Sequence, residues 1–348
     1  MDARVALLTP FGFPSVRGNA ITVERIARGL RARGVEARLW DLSATAEPVL
    51  TEEVEGFRPA LIHAFHAYRV GPLGLRLARR AEIPLVMTMT GTDANHDLFD
   101  PPRAATVRRV LEGAAAVTVF HQSLADRITP ALPDVAGKLT VVPQSVRFEQ
   151  GDASAPEPRR ASGAGPLLLF PAGIRMVKNP LLPLDPVERL VGRYPGLELH
   201  YAGPVLDADQ AEALFEAIAG RPWARYLGAV PHRRMPRLLE HADVVLNCSI
   251  SEGGMANSVL EALALGRAVL ASDIEGNRSL VEEGVTGLLF AGPEEFFVKC
   301  DRLLADPDLR SRLGAAGRER VRARFTTERE LDGYLAVYAH VMAALRRA

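Results

Sequence analysis

Short runs of β-branched and aliphatic residues alternate along this chain with longer stretches of helical spacing. In the first half, Arg4–Leu8, Ala37–Trp40, Leu61–Phe65, Leu85–Met89, Val117–Phe120 and Leu139–Val142 predict strands. Between them, Val23, Ile26, Ala27 and Leu30 recur at i, i+3, i+4 and i+7, one face of a helix. Gly34 follows where a helix C-terminus calls for a glycine. Strand, helix and strand repeated in this way predict a parallel sheet covered on both faces.

The rhythm breaks between Gln150 and Pro166, a stretch rich in Pro, Gly, Ala and Ser without apolar periodicity. Residues 151–165 are therefore expected to be an interdomain linker. The rhythm then restarts, with strands predicted at Leu167–Ala172, Leu197–Ala202, Val244–Cys248, Ala268–Ala271 and Leu288–Phe290. The expected division is an N-terminal domain over residues 1–150 and a second over 166–327. A last helix carries Leu331, Leu335, Tyr338 and Met342 on one face. Over residues 328–348 it is expected to cross back onto the first domain. Doubly wound sheets take ligands outside the carboxyl ends of their strands, so two such domains would present facing crevices to one ligand.

A length of 348 residues fits two cores better than one. Lys and Arg number 42, as do Asp and Glu, so the formal charge is zero. A nucleic-acid coat would show a basic excess, so an anionic ligand must be held locally and no nucleic-acid partner is expected. Cys248 and Cys300 are the only cysteines, which excludes a disulfide framework and points to a reducing cytoplasm. No run reaches the ~20 apolar residues of a membrane span. The Met1–Pro10 start, with Asp2 and a short apolar run, does not read as a signal peptide. Arg318, Arg320, Arg322 and Arg324 predict a solvated helix face, with too few large apolar residues opposite for more than weak contact with anionic lipid.

Two strand ends carry candidate chemistry. After Val244–Cys248 the chain reads Ser249-Ile250-Ser251-Glu252-Gly253-Gly254-Met255-Ala256, then a helix with Glu261 in its first turns. Glycines allow close backbone approach, and the amides of a helix start favour an anion such as phosphate. Glu252 is placed to accept sugar hydroxyls and Glu261 to reach a ribose diol. Taken singly, Glu252 would be an exposed loop acid and Glu261 a solvated helix residue. The second strand end reads Gly173-Ile174-Arg175-Met176-Val177-Lys178. A guanidinium fork and an ammonium point charge in one loop can stabilise a leaving diphosphate without a metal. In the first half, Gly18 opens a helix after a loop, His63 and His66 stand at a strand end, and no metal-ligand spacing occurs. His63 fits a satisfied core histidine, and His66 is the better candidate for a site.

Together these motifs resemble the retaining family-4 glycosyltransferases of GT-B fold. The likeness runs through Gly173, Arg175, Lys178, Ser251-Glu252-Gly253-Gly254 and Glu261-Ala262-Leu263-Ala264-Leu265-Gly266 to Val285-Thr286-Gly287-Leu288-Leu289-Phe290. Gly18-Asn19-Ala20, Gly91-Thr92-Asp93 and Ile274-Glu275-Gly276-Asn277 resemble the "glycosyltransferase one domain-containing" group, and the Glu-Gly-Gly and Glu-Gly-Asn pieces resemble selenosugar synthases. The resemblance implies an α/β protein of two Rossmann-like domains facing a central cleft, with a nucleotide sugar held mostly by the second. Arg175 and Lys178 would grip the diphosphate and Glu252 the sugar, with the amides of Gly253, Gly254, Met255 and Ala256 nearby. Glu261 would hold the ribose, the backbone at Val230 would face the base, and Gly18 and Asn19 would border the donor. His66, Thr90, Asp93 and His121 are the acceptor-side candidates.

Two features depart from the family pattern. Eight residues separate Glu252 from Glu261, one more than usual, and Thr90 or a neighbour stands where a histidine is common. The implied activity is metal-independent transfer from a nucleotide-diphosphate sugar to a small-molecule or glycan acceptor, without a cofactor. The alternatives are a thio- or selenosugar synthase and a sugar-nucleotide-binding protein without turnover.

Overall fold

The computed structural model describes residues 4–12, 18–148, 165–252, 254–345 and 347. The chain divides into two compact units. Unit 1 comprises Met1–Ser145, Glu252–Met255 and Thr326–Ala348; unit 2 comprises Val146–Ser251 and Ala256–Phe325.

Unit 1 is a six-stranded parallel sheet in the order β2-β1-β3-β4-β5-β6. The strands are β1 (Arg4–Thr9), β2 (Glu36–Asp41), β3 (Leu61–Phe65), β4 (Leu85–Thr88), β5 (Ala116–Val119) and β6 (Leu139–Val141). The helices are α1 (Gly18–Ala32), α2 (Glu47–Phe57), α3 (Gly71–Arg80), α4 (Pro101–Gly113) and α5 (Gln122–Ala131). Side-chain alternation divides the core in two. Ala6, Leu8, Ile62, Ala64 and Met87 pack with α2 to α5, while Val5, Leu7, Leu61, Phe65 and Val86 pack with Val23, Ile26, Ala27 and Leu30 of α1. Gly34 has φ +77°, the left-handed turn that ends a helix cheaply only with glycine.

Unit 2 repeats the plan in the order β12-β11-β10-β7-β8-β9, all parallel. Its strands are β7 (Leu167–Phe170), β8 (Glu198–Tyr201), β9 (Ala224–Tyr226), β10 (Val244–Asn247), β11 (Ala268–Ser272) and β12 (Leu288–Phe290). Its helices are α6 (Leu184–Val191), α7 (Ala208–Ala219), α8 (Met235–His241), α9 (Asn257–Ala264), α10 (Glu275–Arg278), α11 (Pro293–Ala305) and α12 (Pro307–Arg324). The last helix, α13 (Thr327–Leu345), belongs to unit 1 and shares the core of α1.

Several expectations are corrected. Strand β9 escapes the sequence pattern because its three residues include the exposed Arg225. The buried apolar stripe of α13 is Leu331, Tyr334, Val337, Tyr338 and Val341, with Leu335 and Met342 only partly covered. Successive steps of four overshoot a 3.6-residue turn, so a stripe that stays on the core mixes threes with fours. On α12, Arg318, Arg322 and Arg324 are exposed as expected, but Arg320 is half-buried. Of the expected linker, only Gly165 lies within the described residues.

Candidate active site

In unit 2 the strand order reverses between β7 and β10, because β8 follows β7 on one side and β10 lies on the other. A crevice at the carboxyl ends of these two strands is where an open α/β sheet takes its ligand. The loop after β7 carries Gly173, Arg175 and Lys178; the loop after β10 carries Ser249 to Glu252. Ile250 N donates to Val177 O at 2.9 Å, which ties the two loops together.

The cation loop is rigid for local reasons. Ile174 is fully buried; its N donates to Pro204 O at 2.8 Å and its O accepts from Leu206 N at 3.0 Å. Arg175 is extended at φ −165° and precedes a single 3-10 turn, Met176–Lys178, closed by Asn179 in the left-handed region at φ 51°. The Arg175 Nε is buried without a hydrogen-bond partner, and a donor so placed suits an anion.

The loop after β10 is shaped from beneath by side chains that sequence reasoning missed. Ser249 N donates to Asn247 Oδ1 at 3.0 Å and Ser272 Oγ donates to Ser249 O at 2.6 Å. Asn277 Nδ2 donates to Ser272 O at 2.9 Å and to Asn247 Oδ1 at 3.3 Å. Only proximity across the ends of β10 and β11 and helix α10 reveals this cluster. Further on, Ala256 stands at the N-cap of α9 with no side-chain cap, so the first amides of the helix keep the anion-favouring arrangement.

Glu261 is not a solvated helix residue. It is 6% exposed, and its Oε1 lies 2.8 Å from His232 Nε2. His232 opens the 3-10 turn His232–Arg234, two residues beyond the half-buried Val230. That loop is pinned at its base, where Leu227 N donates to Tyr201 O at 2.8 Å and Gly203 N to Gly228 O at 2.9 Å.

The other candidates lie in unit 1. Gly18 is exposed at the start of α1, and Asn19 Nδ2 donates to Thr90 Oγ1 at 3.0 Å. Asp93, expected on the acceptor side, is fully buried and braces its own loop. Its carboxylate accepts from Ala67 N and Gly91 N at 2.8 Å and from Thr90 N at 3.0 Å. His66 is buried with φ 85°, a backbone strain rarely tolerated outside functional loops. Arg69 N donates to its Nδ1 at 3.3 Å, so Nε2 carries the proton and donates to Thr92 Oγ1 at 3.0 Å. Asp97 Oδ2 stands 4.0 Å from the same nitrogen. The strand order of unit 1 reverses between β1 and β3, and His66 directly follows β3. His121 is buried at the N-cap of α5, its Nδ1 2.8 Å from Ser123 Oγ.

Glu252 to Met255 is counted within unit 1. Met255 N donates to Gln144 Oε1 at 3.0 Å, and Gln144 Nε2 donates to Thr22 Oγ1 at 2.8 Å. Gly254 packs so closely that a Cβ would stand 2.9 Å from the Phe120 ring. Glu252 is half-buried, and Gly253 lies outside the described residues. Among the described residues, no three His, Cys, Asp or Glu side chains cluster as a metal site requires, and no helix is long and apolar enough to cross a membrane.

Residues 37–144 match the family described as "Glycosyl transferase 4-like domain", and residues 184–336 match "Glycosyl transferase-like". A D-inositol 3-phosphate glycosyltransferase of Geodermatophilus obscurus is 30% identical, covering 91% of this chain and 75% of that protein. The Xenopus tropicalis glycosyltransferase 1 domain-containing protein 1 is 28% identical over 91% of this chain and 92% of its own length. Among solved structures, Anabaena HepE in complex with UDP and glucose superposes with a TM-score of 0.80 at 15% identity, over 97% of this chain and 99% of that one. Sucrose-phosphate synthase of Thermosynechococcus elongatus gives a TM-score of 0.80 at 20% identity, over 98% and 100%.

Proposed function

The chain belongs to the glycosyltransferases of GT-B fold with a glycosyl-transferase-4-like first half, and on that premise we propose that it is a retaining, metal-independent enzyme using a uridine diphosphate sugar. The observation that carries this reading is the cation loop at the β7–β10 reversal. Arg175 and Lys178 stand in one short loop, and the Val177 carbonyl between them is tied to the loop that leads to α9. Two cations and the amino-terminal end of α9 supply the charge stabilisation that a departing diphosphate needs. The uridine assignment is supported by the likeness to HepE, solved with UDP and with UDP-glucose.

In this reading Arg175 and Lys178 hold the diphosphate, Glu261 holds the ribose, and Val230 borders the base. Glu252 binds sugar hydroxyls, and the amides of Gly254, Met255 and Ala256 border it. The diphosphate leaves on the face from which the acceptor enters, and its oxygen takes the acceptor proton as the new bond forms. The acceptor is a small molecule or glycan hydroxyl. Buried free thiols at Cys248 and Cys300 support a reducing cytoplasm as its compartment.

Two measurements test the reading. With EDTA present, UDP is expected to raise the melting temperature more than GDP or ADP does. Slow hydrolysis of UDP-glucose, followed by NMR, is expected to release α-glucose first. Stabilisation that requires a divalent cation, or initial release of β-glucose, refutes the proposal.

A further inference from the structure

The most buried acid of the donor loops has a partner that the motifs do not assign. Glu261 and His232 come from different elements of unit 2, the third turn-forming loop of the sheet and helix α9. Their side chains are 8% and 11% exposed, with Nε2 and Oε1 2.8 Å apart. An ionised carboxylate only accepts hydrogen bonds, so the imidazole Nε2 is the donor. Among the described residues no other side chain hydrogen-bonds this carboxylate. The bond therefore fixes a rotamer that an unpartnered glutamate, with three rotatable bonds, would hold at an entropic cost.

We infer that His232 is a positioning residue that orients Glu261 toward the hydroxyls of the donor's ribose, and so sets a preference for ribonucleotides over deoxyribonucleotides. The inference rests on the assignment of Glu261 to the ribose. His232 occupies one oxygen, which leaves the other, Oε2, to accept from the sugar. The backbone support is independent of the pair, because Gly228 and Leu227 are already anchored to β8 and its exit loop. Those backbone bonds do not involve the imidazole, and the melting temperature of each variant reads whether the loop stays in place.

The test compares binding of UDP and 2′-deoxy-UDP by calorimetry in the full chain and in His232→Ala, His232→Gln, Glu261→Ala and the double variant His232→Ala/Glu261→Ala. The parent is expected to favour UDP. His232→Ala should weaken UDP roughly ten-fold, the scale of one hydrogen bond to a charged group, and 2′-deoxy-UDP much less. His232→Gln, which restores an N–H donor, should recover most of the loss. In the Glu261→Ala background, removing His232 should change nothing further. In turnover of UDP-glucose, His232→Ala should raise KM and leave kcat near that of the parent. Equal weakening of both nucleotides, or failure of glutamine to rescue at an unchanged melting temperature, overturns the role of His232. UDP affinity undiminished in Glu261→Ala, or no UDP binding by the parent, overturns instead the donor assignment beneath it.

Discussion

Lys178 closes a single 3-10 turn whose neighbouring backbone is held through Ile174 and Val177 by bonds that do not involve its side chain. Lys178→Ala is expected to keep the melting temperature of the parent and to lower kcat by about 10²–10³-fold, the effect of deleting one transition-state contact. Full turnover in that variant would remove Lys178 from the reaction. His63 offers a different experiment. It is fully buried, with Nδ1 2.6 Å from Tyr338 Oη and Nε2 2.6 Å from Thr88 Oγ1, and burial lowers its pKa from 6.5 to about 3. Between those values the unfolded chain takes up a proton that the folded chain refuses, so stability falls as pH drops below 6.5. The loss from this group alone is about 1.4 kcal/mol at pH 5.5. Urea unfolding at pH 7.5 and 5.5 should show a smaller difference in His63→Gln than in the parent.

Helix packing sets the next scale. Helix α12 crosses the end of α9 through Gly314, where an added Cβ would lie 2.1 Å from the Gly266 carbonyl oxygen. Backbone on that side cannot swing away like a flexible side chain. Gly314→Ala is therefore expected to destabilise unit 2 by about 1–3 kcal/mol, read by denaturant unfolding, as overpacking does. Helix α13 is fastened to α1 by a buried bidentate pair, with Arg25 Nε and Nη2 at 2.9 and 2.8 Å from the Glu330 oxygens. Ser145 Oγ donates to the same carboxylate at 2.6 Å. Arg25→Met leaves Glu330 buried without its counter-charge and should cost about 3–5 kcal/mol. The double change Arg25→Met/Glu330→Met should regain much of that loss, which separates the uncompensated charge from lost packing.

At the scale of the whole molecule, unit 1 is discontinuous in sequence. Its sheet needs α13, whose Leu331, Tyr334, Val337, Tyr338 and Val341 cover Val5, Leu7, Leu61 and Phe65. Truncation after Phe325 would expose that apolar face. The truncated chain is expected to lose the cooperative unfolding of unit 1, seen by hydrogen exchange over β1 and β3, while the amides of β10 and β11 stay protected. Equal protection of β1 with and without the helix would show that the sheet folds alone.

Much of this was legible in the residues themselves. Strand positions, the restart after residue 166 and the switch-point loops follow from local rules, because a doubly covered parallel strand must be a short apolar run and a sheet of this kind takes its ligand at fixed strand ends. Arg175 and Lys178 stand out because two cations and a glycine at a strand end are locally unusual, whereas Glu252 and Glu261 gain their roles only from the whole motif and the family it resembles. Tertiary structure alone decided what those residues touch. His232 meets Glu261 across 29 positions, Asn277 meets Asn247 across 30, and Tyr338 meets His63 across 275. No window of sequence encodes such pairs. A hydrogen bond depends on where folding brings two atoms, and periodicity reports only which face of its own element each residue occupies.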